Sequence, residues 1–286
     1  MRKWLSLAFL LPAFVACEKD IDLRLDQTSP TLVVDATIEN GMPPRVVLSN
    51  SLDYFGKLSL ENLRSSFVRK ARVSISTGPR TYSLREDSVR INTIYLYFYT
   101  TDSLVGTLTT AYNLRVEHNG QSYSASTTIP AITRRIDSIW WEKVPAFDDS
   151  TLARMMIRAT DRPGLGDYIR YFTKTNSEPL YPGFNSSYDD QIIDGKTYTV
   201  QVDRGVNKNA ENNDTSVYFR RGDTAILKLC NIDKTTYEFW RTFEFNYQSV
   251  GNPFSSPIKV LGNVSNGALG YFGGYAAQFR TLIIPK

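Results

Sequence analysis

Two short runs of alternating apolar and polar residues, Tyr112–His118 and Gln121–Thr128, are separated by the dipeptide Asn119-Gly120. That spacing leaves the chain little choice. Asn-Gly supplies the positive φ needed at both central positions of a type I′ turn, whose twist matches that of the flanking strands. Leu114, Val116 and His118 then share one face of an antiparallel hairpin. Segments of the same kind lie upstream: Thr31–Ile38, Arg45–Ser49 after the breaker Asn40-Gly41-Met42-Pro43-Pro44, Phe67–Ser76 and Ile91–Thr100. With 17 Tyr, 15 Phe and 4 Trp, the chain is rich in residues that favour half-buried pleated surfaces. About six or seven such strands between residues 30 and 131, ended by Ile129-Pro130-Ala131, predict an immunoglobulin-like β-sandwich.

The second half keeps the pattern. Ile136–Glu142, Ala153–Ala159, Asp167–Lys174, Lys196–Val202, Ser216–Arg220 and Ala225–Cys230 read as strands, and 178–195 and 203–214 as long polar loops. Asp233–Val250 departs from it, because Thr236, Trp240, Phe243, Tyr247 and Val250 recur at helical spacing. Asp233 can cap this helix, Ile232 and Tyr237 can form a hydrophobic staple, and Gly251 with Pro253 can stop it. At 286 residues the chain is near the length at which a single core divides. The expected architecture is mainly β: the sandwich over 30–131, then a second β-rich domain over 132–286 carrying one amphipathic helix at 233–250. The helix's aromatic stripe is expected to serve the core.

The N-terminus predicts an address. Arg2 and Lys3 precede an apolar run, Trp4–Val15, that is shorter than the roughly 20 residues of a membrane-spanning helix. Residues 1–16 therefore read as a secretory signal peptide. Phe14-Val15-Ala16-Cys17 resembles the lipobox of bacterial lipoproteins, which makes Cys17 an acylated first residue. The competing reading is an ordinary signal peptide with Cys17 paired to Cys230, the other of the chain's 2 cysteines. Glu18, Lys19, Asp20 and Asp22 continue into a hydrated tether over 17–29. Their acidity resembles in part the surface-export signal of Bacteroidota lipoproteins, so the cell surface is favoured over the periplasmic face. Loss of Arg2 and Lys3 lowers the formal charge from +4 to +2, which gives no reason to expect a nucleic-acid partner.

Catalytic material is scarce. With 1 histidine, His118, at the end of a strand, triads and histidine-based zinc sites lack components. Cys230, inside an apolar strand, reads as a small buried hydrophobe. Asp189, Asp190, Asp194 and Asp203 fall in turn-rich stretches where carboxylates can coordinate calcium, but the spacing and closing Glu of an EF-hand loop are absent, so they read as solvated loop charges. No cofactor or metal is expected. The glycines of Gly267-Ala268-Leu269-Gly270-Tyr271-Phe272-Gly273-Gly274 lack the context of a phosphate-binding loop and read as bends between aromatic strand residues. Partner or ligand contacts fall to aromatics. Trp140 and Trp141 are adjacent in a strand and must face opposite ways, so that one lies at the domain junction or on a binding surface. Tyr181 and Phe184 are expected in a loop.

Several segments together carry a family likeness: Cys17–Asp22, Leu32-Val33-Val34 with Ile38–Gly41 and Pro43-Pro44, Tyr123-Ser124-Ala125 with Ile129-Pro130, Gly166–Tyr171 and Asn263–Tyr275. They resemble the DUF4249 family of Bacteroidota lipoproteins across nearly the whole mature chain. The resemblance implies an outer-membrane-anchored protein, often encoded beside TonB-dependent transporters, and carries no catalytic residues with it. The functional expectation is a non-catalytic lipoprotein, accessory to or partner of such a transport system, binding a protein or a nutrient. The alternatives are a carboxylate-dependent surface hydrolase using acids such as Asp189 and Asp203, and a structural or adhesion module.

Overall fold

The computed structural model describes residues 30–52, 59–91, 94–208, 210–250, 252, 254–256 and 258–286. The signal peptide, the tether with Cys17, and the helix-stopping Gly251 and Pro253 lie outside them. The described residues form a mainly β protein with two helices. In chain order the elements are β1 (Leu32–Glu39), β2 (Arg45–Asn50), α1 (Leu60–Ser66), β3 (Arg72–Thr77), β4 (Arg80–Ile91), β5 (Ile94–Thr100), β6 (Thr110–His118) and β7 (Gln121–Ile129) in the first half. Then follow β8 (Arg135–Lys143), β9 (Leu152–Thr160), β10 (Tyr168–Thr175), β11 (Tyr181–Tyr188), β12 (Thr197–Val202), β13 (Phe219–Arg220), β14 (Thr224–Ile232), α2 (Lys234–Ser249) and β15 (Leu269–Ile283).

The Asn119-Gly120 hairpin forms as its sequence requires, with φ of 49° and 76° and His118 opposite Gln121. Its neighbours build one long path, β11-β10-β14-β15-β1-β2-β5-β4-β3-β6-β7. The first half curls around a core of Val34, Ala36, Ile38, Val46, Leu48, Ile75, Tyr112 and Leu114, giving the sandwich. β4 has no counterpart in the sequence reading. Its buried residue is Leu84, with Tyr82 and Glu86 half-buried on the same face, so its alternation is short, and backbone pairing to β3 and β5 holds the exposed remainder in place.

In the second half a smaller sheet has β9 at its centre, with β8 on one side and β12 and β13 on the other. It packs Ile136, Met155 and Ile157 against Ile169, Leu227 and Leu229 of the large sheet. The opposite face of β10, β14 and β15 receives α2 through Phe239, Cys230, Ile232, Tyr271 and Tyr275. Two further expectations are corrected here. Ser216–Arg220 shortens to the two-residue β13. The polar stretch 178–195 contains β11, because Tyr181 and Pro182 pair with Thr173 and Phe172, and Ile169 with Tyr188.

β15 joins the two halves. Its first part, Leu269 to Tyr275, pairs parallel with β1, and Tyr275 to Ile283 pairs antiparallel with β14. Tyr275 belongs to both registers, opposite Glu39 and Ile232. Side chains alternate across it, so Phe272 and Ala276 enter the first core while Tyr271, Tyr275 and Ala277 face α2. A strand from the stretch 132–286 thus pairs with β1 of the stretch 30–131. Of the glycines read as bends, Gly267 and Gly270 take positive φ, 74° and 96°, whereas Gly273 and Gly274 serve close packing instead. A Cβ at Gly274 would meet the Thr128 carbonyl oxygen at 2.4 Å, and one at Gly273 would meet the Thr236 side chain at 3.0 Å. Bare backbone lets β7 approach one face of β15 and α2 the other.

Candidate functional site

The face of the large sheet that carries α2 is covered only in part. Beside the helix, six adjacent strands form the floor of a cavity of about 490 Å³, whose lining includes Arg45, Asp35, Tyr271, Lys228, Arg170 and Pro182. Alternation explains the selection. Val34, Ala36 and Ile38 of β1 point into the first core, so Asp35, Thr37 and Glu39 point into the cavity. Trp240 and Phe243 of α2 form the wall, and Lys208 contributes from the loop after β12.

Arg170 organises the site. It is buried, its guanidinium lies 3.2 Å from the centre of the Trp240 ring and 4.8 Å from that of Phe172, and its Nε donates to Ser186 Oγ at 3.0 Å. Its Nη2 lies 3.9 Å from Glu244 Oε1, and Glu244 in turn accepts from the Ser186 backbone N–H at 3.0 Å and from the Ser186 hydroxyl. Trp240 Nε1 donates to the Tyr275 hydroxyl at 2.9 Å, which lies 3.1 Å from that of Tyr271. A buried cation is tolerable when it is both paired and stacked. Lys228 and Glu39 close an ion pair across β14 and β1.

Enclosure shifts the titration of Asp35, Lys208 and Tyr271. Solvent reaches Asp35 through the mouth, but the surrounding protein raises its carboxyl above the usual range, against the lowering pull of Arg45, Arg170 and the Tyr271 hydroxyl. Burial lowers the Lys208 ammonium, and Arg170 adds to the effect while Glu244 opposes it. Burial also pushes the phenol of Tyr271 well up. The lining holds four cationic side chains, of which Arg170 lies against Glu244 and Lys228 pairs with Glu39, leaving Arg45 and Lys208 against Asp35. Such a cavity suits a small polar ligand with an anionic group, and Phe243, 41% exposed, offers a ring face beside it.

The stripe read from the helix is therefore divided. Thr236 and the unanticipated Phe239 pack on the sheet, whereas Phe243 overhangs the cavity, Val250 is exposed and the Tyr247 hydroxyl donates to the Lys208 carbonyl. Asp233 caps α2 by accepting from Thr236 N at 2.8 Å, and Tyr237 stacks on Tyr168.

The aromatics expected at contacts do not assemble. Trp141 packs on the second core, with the Arg221 guanidinium 5.3 Å from its ring centre, and Trp140 bonds Glu142 on the outer face of β8. Tyr181 and Phe184, expected in a loop, are strand residues of β11. Asp189 and Asp203 both line a second cavity of about 410 Å³ between the two sheets, with an apolar floor of Ile157, Ile169 and Leu227. Tyr188 and Tyr237 share that rim, and burial together with these carboxylates pushes both phenols up to about 12. Asp190 is buried and accepts backbone N–H bonds from Gly166 and Asp167, which corrects its reading as a solvated charge.

Fold and cavity define a mainly β protein whose large sheet, partly roofed by one helix, carries a charged, aromatic-lined pocket at the splice of its two halves. The chain belongs to the DUF4249 family, a domain of unknown function, whose family model matches residues 18–280. Comparison with curated proteins gave no match.

Proposed function

We propose that this protein is a non-catalytic lipoprotein of the outer membrane, anchored through Cys17, that binds a small anionic nutrient beside a TonB-dependent transporter. The observation that carries the binding is the β1–α2 cavity, with its cationic excess and the Phe243 ring at its edge. The leader, the lipobox-like Phe14–Cys17 and the acidic tether support the anchor, with the cell surface favoured over the periplasmic face. The segments that carry the family likeness supply Glu39, Arg170, Tyr271 and Tyr275 to the cavity, with Asp35 next to one of them.

The test is purification of the tagged, lipidated protein from its own outer membrane, with mass spectrometry of co-purifying proteins and native mass spectrometry of the bound small molecule. A transporter at near-stoichiometric yield and an anionic ligand lost in Arg45→Gln support the reading. A ligand retained equally by that variant, or an empty cavity with no partner, would refute it. A carboxylate-dependent hydrolase is the second reading, favoured by Asp189 and Asp203 sharing one cavity. It requires that any hydrolysis found be abolished by alanine at both. A structural or adhesion module would show neither ligand nor partner.

A further inference from the structure

The turn between β9 and β10 runs from Asp161 to Asp167 through Gly164 and Gly166, both at positive φ (118° and 114°). Asp190, just after β11, folds against it. Asp161, Asp167 and Asp190 are all buried, and each offers a carboxylate oxygen within 4.8 Å of the other two.

Their partners do not balance. Asp161 Oδ1 accepts from Arg134 Nε at 3.0 Å, Asp167 receives both arms of Arg162 at 3.0 and 3.1 Å, and Asp190 Oδ2 accepts from the N–H groups of Gly166 and Asp167 at 2.8 and 2.9 Å. Two guanidinium groups thus face three carboxylates. Asp161, whose side chain has no solvent exposure, keeps its Oδ2 buried without a hydrogen-bond partner. A buried anionic oxygen in that state is disfavoured unless a cation meets it. Arg134 Nη2 is buried and equally unpartnered, so the pair does not close on itself as a two-pronged fork.

We propose that Asp161, Asp167 and Asp190 bind one calcium ion, which ties the β9–β10 turn to the segment after β11. The donors are all hard oxygens, and the chain's single histidine sits in the first half, at the end of β6, so a zinc-type site has no material. Oxygens within 4.8 Å of one another can share an ion with bonds of about 2.4 Å, the length calcium takes. Magnesium, with bonds of about 2.0–2.1 Å, a near-ideal octahedron and reluctance to dehydrate, suits fixed protein carboxylates less well. The two loops already meet where Gly164 N donates to Asp194 Oδ1 at 2.6 Å. The ion fixes the segment that carries Asp189, Ile192 and Ile193 to the rim of the second cavity. It shares no residue with the β1–α2 cavity, so it stands or falls independently of ligand binding there.

The experiment uses the full mature chain after chelation. Calcium titrated by calorimetry is expected to bind at one site with Kd of about 10⁻⁵–10⁻³ M, and to raise Tm more than equal magnesium does. Asp190→Asn keeps the backbone acceptor but removes the charge, and is expected to weaken binding at least about tenfold, while Asp214→Asn on an exposed loop leaves it unchanged. Absence of saturable binding and of any Tm shift at 10 mM calcium would overturn the proposal, as would unchanged affinity in Asp190→Asn. Should that variant not fold, terbium bound to the unaltered protein decides: calcium must displace it at lower concentration than magnesium, and equal displacement refutes the assignment.

Discussion

Replacing Asp233 with alanine tests how the helix that walls the cavity is held. One carboxylate does two jobs. Oδ1 accepts from Thr236 N at 2.8 Å as the N-cap of α2, while Oδ2 accepts from the Thr127 hydroxyl at 2.7 Å and Thr128 N at 3.0 Å on β7. Losing the cap costs about 1 kcal/mol. Orphaning the two part-buried donors on β7 adds about 1–2 kcal/mol. The expected loss for Asp233→Ala is therefore about 2–3 kcal/mol, or about 4–6 °C in Tm for a chain of this size. Asp233→Ser separates the two contributions, because a short hydroxyl can reach Thr236 N but cannot also span to β7. It is expected to regain about 1 kcal/mol. Urea unfolding with the midpoint and slope both fitted is the assay. The reasoning fails if serine and alanine are equally destabilising, since the cap would then contribute nothing, or if alanine costs less than about 1 kcal/mol.

Two other outcomes follow from burial. Gly274→Ala places a Cβ 2.4 Å from a backbone oxygen of β7, which cannot rotate away. It should lower stability by about 3 kcal/mol or more, and an unchanged urea midpoint would show that β7 can shift. Cys230 has its thiol pushed up to about 12 by burial. At pH 8 its thiolate is about 10³-fold scarcer than that of a free cysteine, so native protein should resist iodoacetamide and react once unfolded. Because the folded pKa exceeds the unfolded value near 8.5, this group's stabilisation is complete below about pH 8.5 and is lost as pH rises towards 12. Tm should fall across that window, and fall less in Cys230→Ala; identical alkaline slopes would exclude the thiol as a cause.

Much of the fold was legible because strands with one buried face announce themselves. β6 and β7 alternate around an Asn-Gly turn, and α2 starts at a cap that functions as read. β4 was not legible, since its period spans only Tyr82, Leu84 and Glu86, and the exposed rest of the strand exists through its neighbours' hydrogen bonds. The cavity escaped for the opposite reason. Asp35, Thr37 and Glu39 read as the solvent side of β1, and Arg170 as a polar position on β10. Nothing local says that these two outer faces belong to one floor. The available signal was Gly270–Tyr275, where tyrosines two positions either side of Gly273 share a face with a residue that has no side chain. That pattern means a close neighbour on the tyrosines' own side, and here it is Thr236 of α2.

The position of the cavity then follows from dimensions. A helix of 16 residues is about 24 Å long, so even reaching across strands spaced about 4.8 Å apart, from β11 to β15, it roofs about four of them. By joining β1 to β14, β15 makes the large sheet continuous across both halves and far wider than that roof. α2 settles over β10, β11 and β15, where Phe239 finds Tyr271 and Glu244 finds Ser186. The strip from β2 to β1 is left open beside it. Polar residues must line such a strip, and those nearest the helix are partly enclosed, which is what shifts Asp35 and Lys208 in opposite directions towards their neutral forms. A site with that charge pattern is thus a consequence of splicing two sheets under a single helix. Filling it requires only a ligand that can supply anionic charge to Arg45 and Lys208.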